Sequence, residues 1–313
     1  MVRRGLGDKI TFMVQDTTKG DAVDYINRNP NRYTCTIFRL NEGHVPPWEV
    51  GQNFTGGKAI SRRPQNLWIA FPTTCVNWYT LDPNIKSMND FKGKRAHMGT
   101  SSNTVQPVAQ ILTKAVDLEG MFSLVIGGAK LNAEALADRD AGIVGSCITF
   151  ASHLLASATA AFNQLAQLTG SMHFTSTSLE VIEKAHADNP EWVNAGQFPP
   201  VKFYKGDLSR AANVNYGIVQ EDGYCASSIT VNFQTSPETE EPVVHAIMKA
   251  ILDNRDLAYQ YFPFVAEVWK KRLGHTWNSQ SSFHPGARTA YEEADVSYRL
   301  EGIREYGAAN SRE

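Results

Sequence analysis

Hydrophobic residues recur along the chain in short continuous runs, and amphipathic segments separate them. The runs KITFMVQD, YTCTIFRL and NLWIAFPTTCVNWYTLDP are typical of buried strands. The segment TTKGDAVDYINRNP, between the first two runs, predicts a helix that begins at Thr17 and Thr18 and ends before Pro30. A strand, a helix and a strand in this order predict a βαβ unit.

The alternation resumes after an irregular stretch rich in proline and glycine, NEGHVPPWEVGQNFTGGKAISRRPQ. KRAHMG, FSLVIGG and DAGIVGSCIT are short strand candidates, and AKLNAEALADR between the last two predicts a helix. Beyond SSITVNFQTSP the pattern becomes helical, with one apolar face formed by Val243, Val244, Ile247, Ile251 and Leu252. Alternating strands and helices predict an α/β fold with open sheets.

Composition sets the size class and excludes one kind of partner. The 313 residues, 42% of them hydrophobic, are enough for two lobes that each have a core. Lysine and arginine total 30 against 32 aspartates and glutamates, so nucleic acid is not expected as a partner. No apolar window reaches the ~18 residues that a membrane span needs, so the chain is not expected to span a membrane itself.

The turn after KRAHMG carries the main candidate for binding chemistry. Five consecutive polar residues stand there between a predicted strand and a predicted helix: Thr100, Ser101, Ser102, Asn103 and Thr104. The first amides of a helix have no partners within the helix and carry partial positive charge. A simple N-cap would use one hydroxyl and leave the other polar positions unexplained. The turn therefore predicts a site for a carboxylate or a phosphate.

Three further positions join this candidate site. Gly145 and Ser146 are predicted to end the strand AGIVGS and to lie in the same crevice, because parallel strands present their carboxyl ends together. Trp78 is predicted either to stack against a solute or to be a core tryptophan. No P-loop or dinucleotide fingerprint is present, and no cofactor is expected.

No catalytic residue and no metal site are expected. The sequence lacks the GxSxG and HExxH motifs, and Glu292 and Glu293 are predicted to lie on a solvated helix face. His284 is predicted to cap or pack a turn before Pro285, and His97 to be satisfied in the core.

The cysteines are widely spaced and carry no metal-binding pattern. Cys35, Cys75, Cys147 and Cys225 are interpreted as small buried hydrophobic residues, with a Cys35–Cys75 bridge as the alternative.

Three stretches resemble one protein family. IKSMNDFKGKRAHMGTSSNT resembles the IKSLADLKGKRVSVGPPGSGT segment of TAXI solute receptors, the extracytoplasmic binding subunits of one branch of the tripartite ATP-independent periplasmic (TRAP) transporters. LADRDAGIVGSCIT resembles the family's LKDGQIDAAFVVAG, and SSFHPGARTAYEE resembles its PLHPGAIRYYKE. With AIMKAILDN between, the likeness extends over most of residues 80 to 295 in the family's order.

This resemblance implies a type II periplasmic binding fold, in which two α/β lobes close over a small organic anion. It implies lobe 1 over residues 1–84, lobe 2 over 85–232, and a return to lobe 1 with C-terminal helices over 233–313. The crossings are then expected near Asp82 and Asn232. The implied partners are a small organic acid or an acidic amino acid and the membrane permease subunits of a TRAP-type transporter. The implied location is periplasmic or otherwise extracytoplasmic, although this chain begins without a signal peptide.

The start of the chain departs from the family pattern. The family's first strand and its GTGSSGGTYYP ligand loop have no counterpart, and the nearest substitute is QDTTKGDAV with Thr17, Thr18 and Gly20. The stretch VQDTTKGDAVDYINRNPNRYT is also similar to the start of tripartite tricarboxylate (TctC-like) binding proteins. That cousin family remains an alternative, as does a ligand-sensing or enzymatic domain on the same fold.

Overall fold

A computed structural model describes most of the chain from residue 64 onward and two short stretches before it. The described residues are 28, 37–41, 64–71, 74–98, 105–118, 122–124, 129–139, 142–152, 155–158, 160–189, 200–206, 218–228, 231–261, 266, 269–270, 273–277 and 282–301. Thr17, Thr18 and the first predicted strand lie outside them.

The described residues form fourteen strands and seven α-helices. In chain order the strands are β1 (Ile37–Asn41), β2 (Gln65–Phe71), β3 (Thr74–Thr80), β4 (Ala96–Met98), β5 (Phe122–Leu124), β6 (Ile143–Ser152), β7 (Leu155–Ala158), β8 (Met172–Thr175), β9 (Pro200–Phe203), β10 (Ile218–Gln220), β11 (Gly223–Ser228), β12 (Val231–Thr235), β13 (Gly274–Trp277) and β14 (Tyr298–Glu301). The helices are α1 (Val105–Ala115), α2 (Ala129–Ala137), α3 (Ala160–Thr169), α4 (Leu179–Asp188), α5 (Glu241–Asp253), α6 (Ala258–Tyr261) and α7 (Pro285–Glu293), with 3-10 turns at Met88–Phe91 and Arg255–Leu257.

The chain divides into two compact units. The first comprises Met1–Pro72 and Thr230–Ile303, and the second comprises Thr73–Ile229 and Arg304–Glu313. The chain therefore passes into the second unit after Pro72 and leaves it after Ile229. The sequence-based boundary at residue 84 falls later than the first of these crossings. The reason is that β3 pairs with β6, β8 and β11, all of which belong to the second unit.

The second unit contains a mixed sheet. Its main path has the strand order β10-β8-β3-β6-β4-β5. The strands β4, β5 and β6 are parallel to one another, whereas β3 runs antiparallel to both β6 and β8. One edge of β3 is shared, since β8 pairs with its second half and β11 with its first half. The strand that enters from the first unit is thus inserted in the middle of this sheet.

The first unit contains the sheet β1-β12-β2, in which both described pairings are antiparallel. Its buried amides are bonded to one another, since Asn66 Oδ1 accepts hydrogen bonds from Gln234 Nε2 at 2.6 Å and Asn232 Nδ2 at 3.3 Å. Trp68 on β2 stacks on Phe233 of β12, with ring centroids 4.4 Å apart. These contacts fix the register between the strand that leaves the first unit and the strand that returns to it.

Many of the predicted elements are confirmed. The helix predicted in AKLNAEALADR is α2, and the strand in KRAHMG is β4. Four of the five apolar residues proposed for one helix face are buried in α5, and Val243 is half-buried. The α3 and α4 helices were not predicted. Phe162 of α3 and Ile182 of α4 are buried in the second unit.

Candidate functional site

Several of the predicted site residues lie in one row across the second unit's sheet. Trp78 on β3 is directly opposite Gly145 on β6, and Asn77 is opposite Ser146. On the other edge of β6, Val144 pairs with His97 of β4, so the next residue of β4, Met98, is level with Gly145. Adjacent strands are ~4.8 Å apart, which puts Trp78 and Met98 roughly 10 Å apart in the backbone.

The turn Thr100 to Thr104 lies outside the described residues, but both elements that flank it are described. β4 ends at Met98 and α1 begins at Val105. β4 therefore ends at the level of Gly145, and the helix that follows it in the chain has 11 residues. The first amides of α1 have no partners within the helix, and this end of a helix carries partial positive charge.

The carboxyl end of β4, which lies in this row, points towards the end of the sheet at which the chain enters and leaves the unit. β6 continues past Gly145 along β3 until Thr149 pairs with Thr74, close to the crossing after Pro72. The carboxyl ends of β4 and β5 point in the same direction, because both strands are parallel to β6. In open α/β sheets, ligands bind outside the carboxyl ends of the strands.

One sequence-based detail of the site is wrong. Gly145 and Ser146 were predicted to end a strand, but β6 continues to Ser152. The reason is tertiary, since β3 and β7 offer partners to the residues that follow Ser146. Both residues therefore lie within the strand, although they are still level with the carboxyl end of β4.

Trp78 is a core residue in this structure. Its side chain is 0% exposed, and its ring makes an edge contact with Phe91 at a centroid distance of 5.4 Å. This placement favours the core alternative. A stacking role for Trp78 stays a prediction, and it would require the residues that cover the indole to move.

A second turn rich in hydroxyl groups follows β8, and sequence reasoning missed it. Thr175, Ser176, Thr177 and Ser178 connect β8 to α4 at the level of Trp78. All four hydroxyls already have partners. Thr175 Oγ1 donates to the Ile85 carbonyl at 3.3 Å, and Ser176 Oγ contacts the Asp222 carbonyl at 3.5 Å. Thr177 Oγ1 contacts Met88 Sδ at 3.6 Å, and Ser178 Oγ accepts from the Val181 amide. The run STSLE after a short strand was the available signal.

The segment FHPGA has a structural role. His284 is the N-cap of α7, where its Nδ1 accepts a hydrogen bond from the Gly286 amide and its Nε2 donates to the Thr239 carbonyl at 2.9 Å. Burial lowers the pKa of His284, against the opposing effect of the bond to Thr239. The neutral ring is therefore favoured and both of its nitrogens are in use, so the predicted capping role is confirmed.

The other acid–base candidates also have ordinary surroundings. His97 is buried in β4. Glu292 and Glu293 are exposed as predicted, and each has a partner: Tyr298 Oη donates to Glu292 at 2.6 Å, and His245 lies 2.8 Å from Glu293. Within the described residues, no group of three His, Cys, Asp or Glu side chains could hold a metal ion. No helix in the described part of the chain is long and apolar enough to cross a membrane.

Cys225 corrects the interpretation of the cysteines. It is buried in β11, as predicted, but it is disulfide-bonded and is therefore not a free hydrophobic residue. Sequence spacing could not show this, because strand pairing decides which cysteines meet.

Comparison with known proteins finds similarity among solved structures and none in sequence. No protein-family model matches the chain, and no curated protein matches its sequence. A periplasmic transporter structure is similar with a TM-score of 0.47 and 11% identity, over 94% of this chain and 87% of that one. A TctC solute-binding protein from Polaromonas is similar with a TM-score of 0.40 and 10% identity, over 95% and 81%. A protein bound to L-arginine is similar with a TM-score of 0.31 and 10% identity, and this chain covers 60% of its length.

The fold is α/β, with two compact units that each contain a sheet. The chain passes between the units at two sites. Such a fold supports many unrelated functions, so it does not name a solute by itself.

Proposed function

We propose that this protein is an extracytoplasmic receptor that captures a small carboxylate-bearing solute and delivers it to a membrane permease. The observation that carries the proposal is the row of Trp78, Gly145 and Met98. β4 ends in this row, and the polar turn follows β4 directly in the sequence. Fixed amides and hydroxyls at such a position suit an anion that the protein binds without altering chemically.

The chemistry of the solute follows from the donors available. Backbone amides and the hydroxyls of Ser101 and Ser102 donate hydrogen bonds, and a carboxylate accepts several of them without needing a metal. A small organic acid or an acidic amino acid meets this description. The resemblance to TAXI receptors points to the permease subunits of a TRAP-type transporter as the membrane partner.

The extracytoplasmic location has one support that is independent of the resemblance. Cys225 is disulfide-bonded, and disulfides form and persist mainly in oxidising compartments. A receptor of a periplasmic transporter works in such a compartment.

Isothermal titration with a panel of organic acids and their neutral amides tests the proposal. We expect the acids to bind and the amides to bind more weakly. A Ser101→Ala, Ser102→Ala double variant should bind the preferred acid at least about tenfold more weakly, since a hydrogen bond to a charged group contributes about 1.5–3 kcal/mol.

Ser171→Ala is the matched control. Ser171 precedes β8 and is exposed, so it lies at the opposite, amino-terminal end of that strand, and its variant should bind as the wild type does. Tighter binding of the amides, or unchanged binding by the double variant, would contradict the proposal. Turnover of any acid in the panel would favour the enzymatic alternative.

A further inference from the structure

Cys225 has a covalent partner among three other cysteines. The chain contains Cys35, Cys75 and Cys147 besides Cys225, which is buried and disulfide-bonded in β11. Strand register decides which of these cysteines can reach it, because the Cβ atoms of a disulfide are only about 3.5–4.5 Å apart.

Cys75 is placed on the required face of the adjacent strand. β11 pairs antiparallel with β3, with Ser227 opposite Cys75 and Ala226 opposite Val76. Directly opposite residues share a face of the sheet, and residues two apart on one strand share it as well. Cys225 therefore shares a face with Ser227 and with Cys75. The two cysteines form a diagonal pair on neighbouring strands, offset by two residues from a directly opposite pair.

Cys147 is placed on the other face. It lies on β6, which pairs with the opposite edge of β3, and it is directly opposite Val76. Successive register positions of a strand belong to opposite faces of its sheet, so the position of Cys147 is on the face opposite to that of Cys75. Cys147 is also two strand spacings, roughly 10 Å, from β11. Cys35 lies outside the described residues.

We infer that the disulfide joins Cys75 to Cys225. The bond would connect the two strands that carry both crossings, since β3 begins just after Pro72 and β11 ends just before Ile229. It fixes the register of these strands inside the second unit. Sliding of β3 against β11 is then prevented.

The bond forms by thiol–disulfide exchange with an oxidant that is itself a protein disulfide. One cysteine thiolate attacks the oxidant's disulfide, which gives a mixed disulfide and releases one oxidant thiolate. The second cysteine thiolate attacks the mixed disulfide at the sulfur of the first cysteine and releases the second oxidant thiolate. The two cysteines are oxidised to cystine, and the oxidant is reduced to its dithiol.

Peptide mapping under non-reducing conditions tests the assignment. The full chain, purified from an oxidising compartment, is alkylated in denaturant, digested and examined by mass spectrometry. We expect a cross-linked pair of peptides that contain Cys75 and Cys225. In Cys75→Ser, Cys225 should become fully alkylated, and in the control Cys147→Ser it should remain cross-linked.

The labelling is done in denaturant, so that every free thiol is accessible to the alkylating reagent. A cross-link from Cys225 to Cys35 or Cys147 would overturn the assignment. Alkylation of Cys225 in the wild-type chain, or a Cys225 cross-link that persists in Cys75→Ser, would also overturn it.

Discussion

Gly286 is a point of close approach between α7 and α5. It is buried in the first turn of α7. A Cβ added there would overlap the Glu241 carbonyl oxygen and lie 2.9 Å from the His245 amide nitrogen and 3.1 Å from Val244 Cβ. Two of these three atoms are helix backbone, so they cannot rotate away as the end of a flexible side chain could. The α7 helix would have to shift.

Gly286→Ala is therefore expected to lower the free energy of unfolding by about 1–3 kcal/mol, the cost of an extra carbon in a packed interface. Alanine's higher helix propensity opposes this loss by up to about 1 kcal/mol. A shift of α7 would also strain two buried hydrogen bonds, from His284 Nε2 to the Thr239 carbonyl at 2.9 Å and from Tyr291 Oη to the Leu67 carbonyl at 2.8 Å. Each is worth about 1 kcal/mol. We therefore expect packing and strain to outweigh the propensity gain.

Urea unfolding at neutral pH, followed by circular dichroism, measures the effect. Gly142→Ala is the control, because the atom nearest to a Cβ added at Gly142 is the Arg95 carbonyl oxygen at 3.6 Å, an ordinary contact. The control should stay within about 0.5 kcal/mol of the wild type. If Gly286→Ala is as stable as the wild type or more stable, the close approach of the two helices at this residue is refuted.

Three further predictions concern charge, the core and the cross-link. Burial lowers the pKa of His284, so at acidic pH the unfolded chain binds more protons than the folded chain, and stability should fall as the pH drops below about 6.5. In His284→Gln the urea midpoint should depend less on pH than in the wild type, and an equal dependence would contradict the prediction. Trp78→Phe should lower the free energy of unfolding by about 1–3 kcal/mol because the ring is buried; lost solute binding with unchanged stability would instead assign Trp78 to the site. Dithiothreitol should destabilise the wild type by about 2–4 kcal/mol and leave Cys75→Ser unchanged, and equal effects on both would refute the cross-link.

The sequence by itself was sufficient for the α/β class and for several of the described elements. A short strand-like run predicted β4, and helix-like segments predicted α2 and α5. These predictions were possible because strand and helix periods are local properties of the chain. The role of His284 could also be predicted, since a polar residue before Pro285 is a local capping signal.

The pairing of distant strands could be decided only by the tertiary structure. The sequence placed β3 in the first lobe and ended β6 at Ser146, because nothing local shows that β3 enters the second sheet between β6 and β8. The same insertion buries Trp78 opposite Gly145 and brings β11 alongside Cys75. Register between strands depends on contacts far apart in the chain, so local periodicity cannot specify which side chains meet.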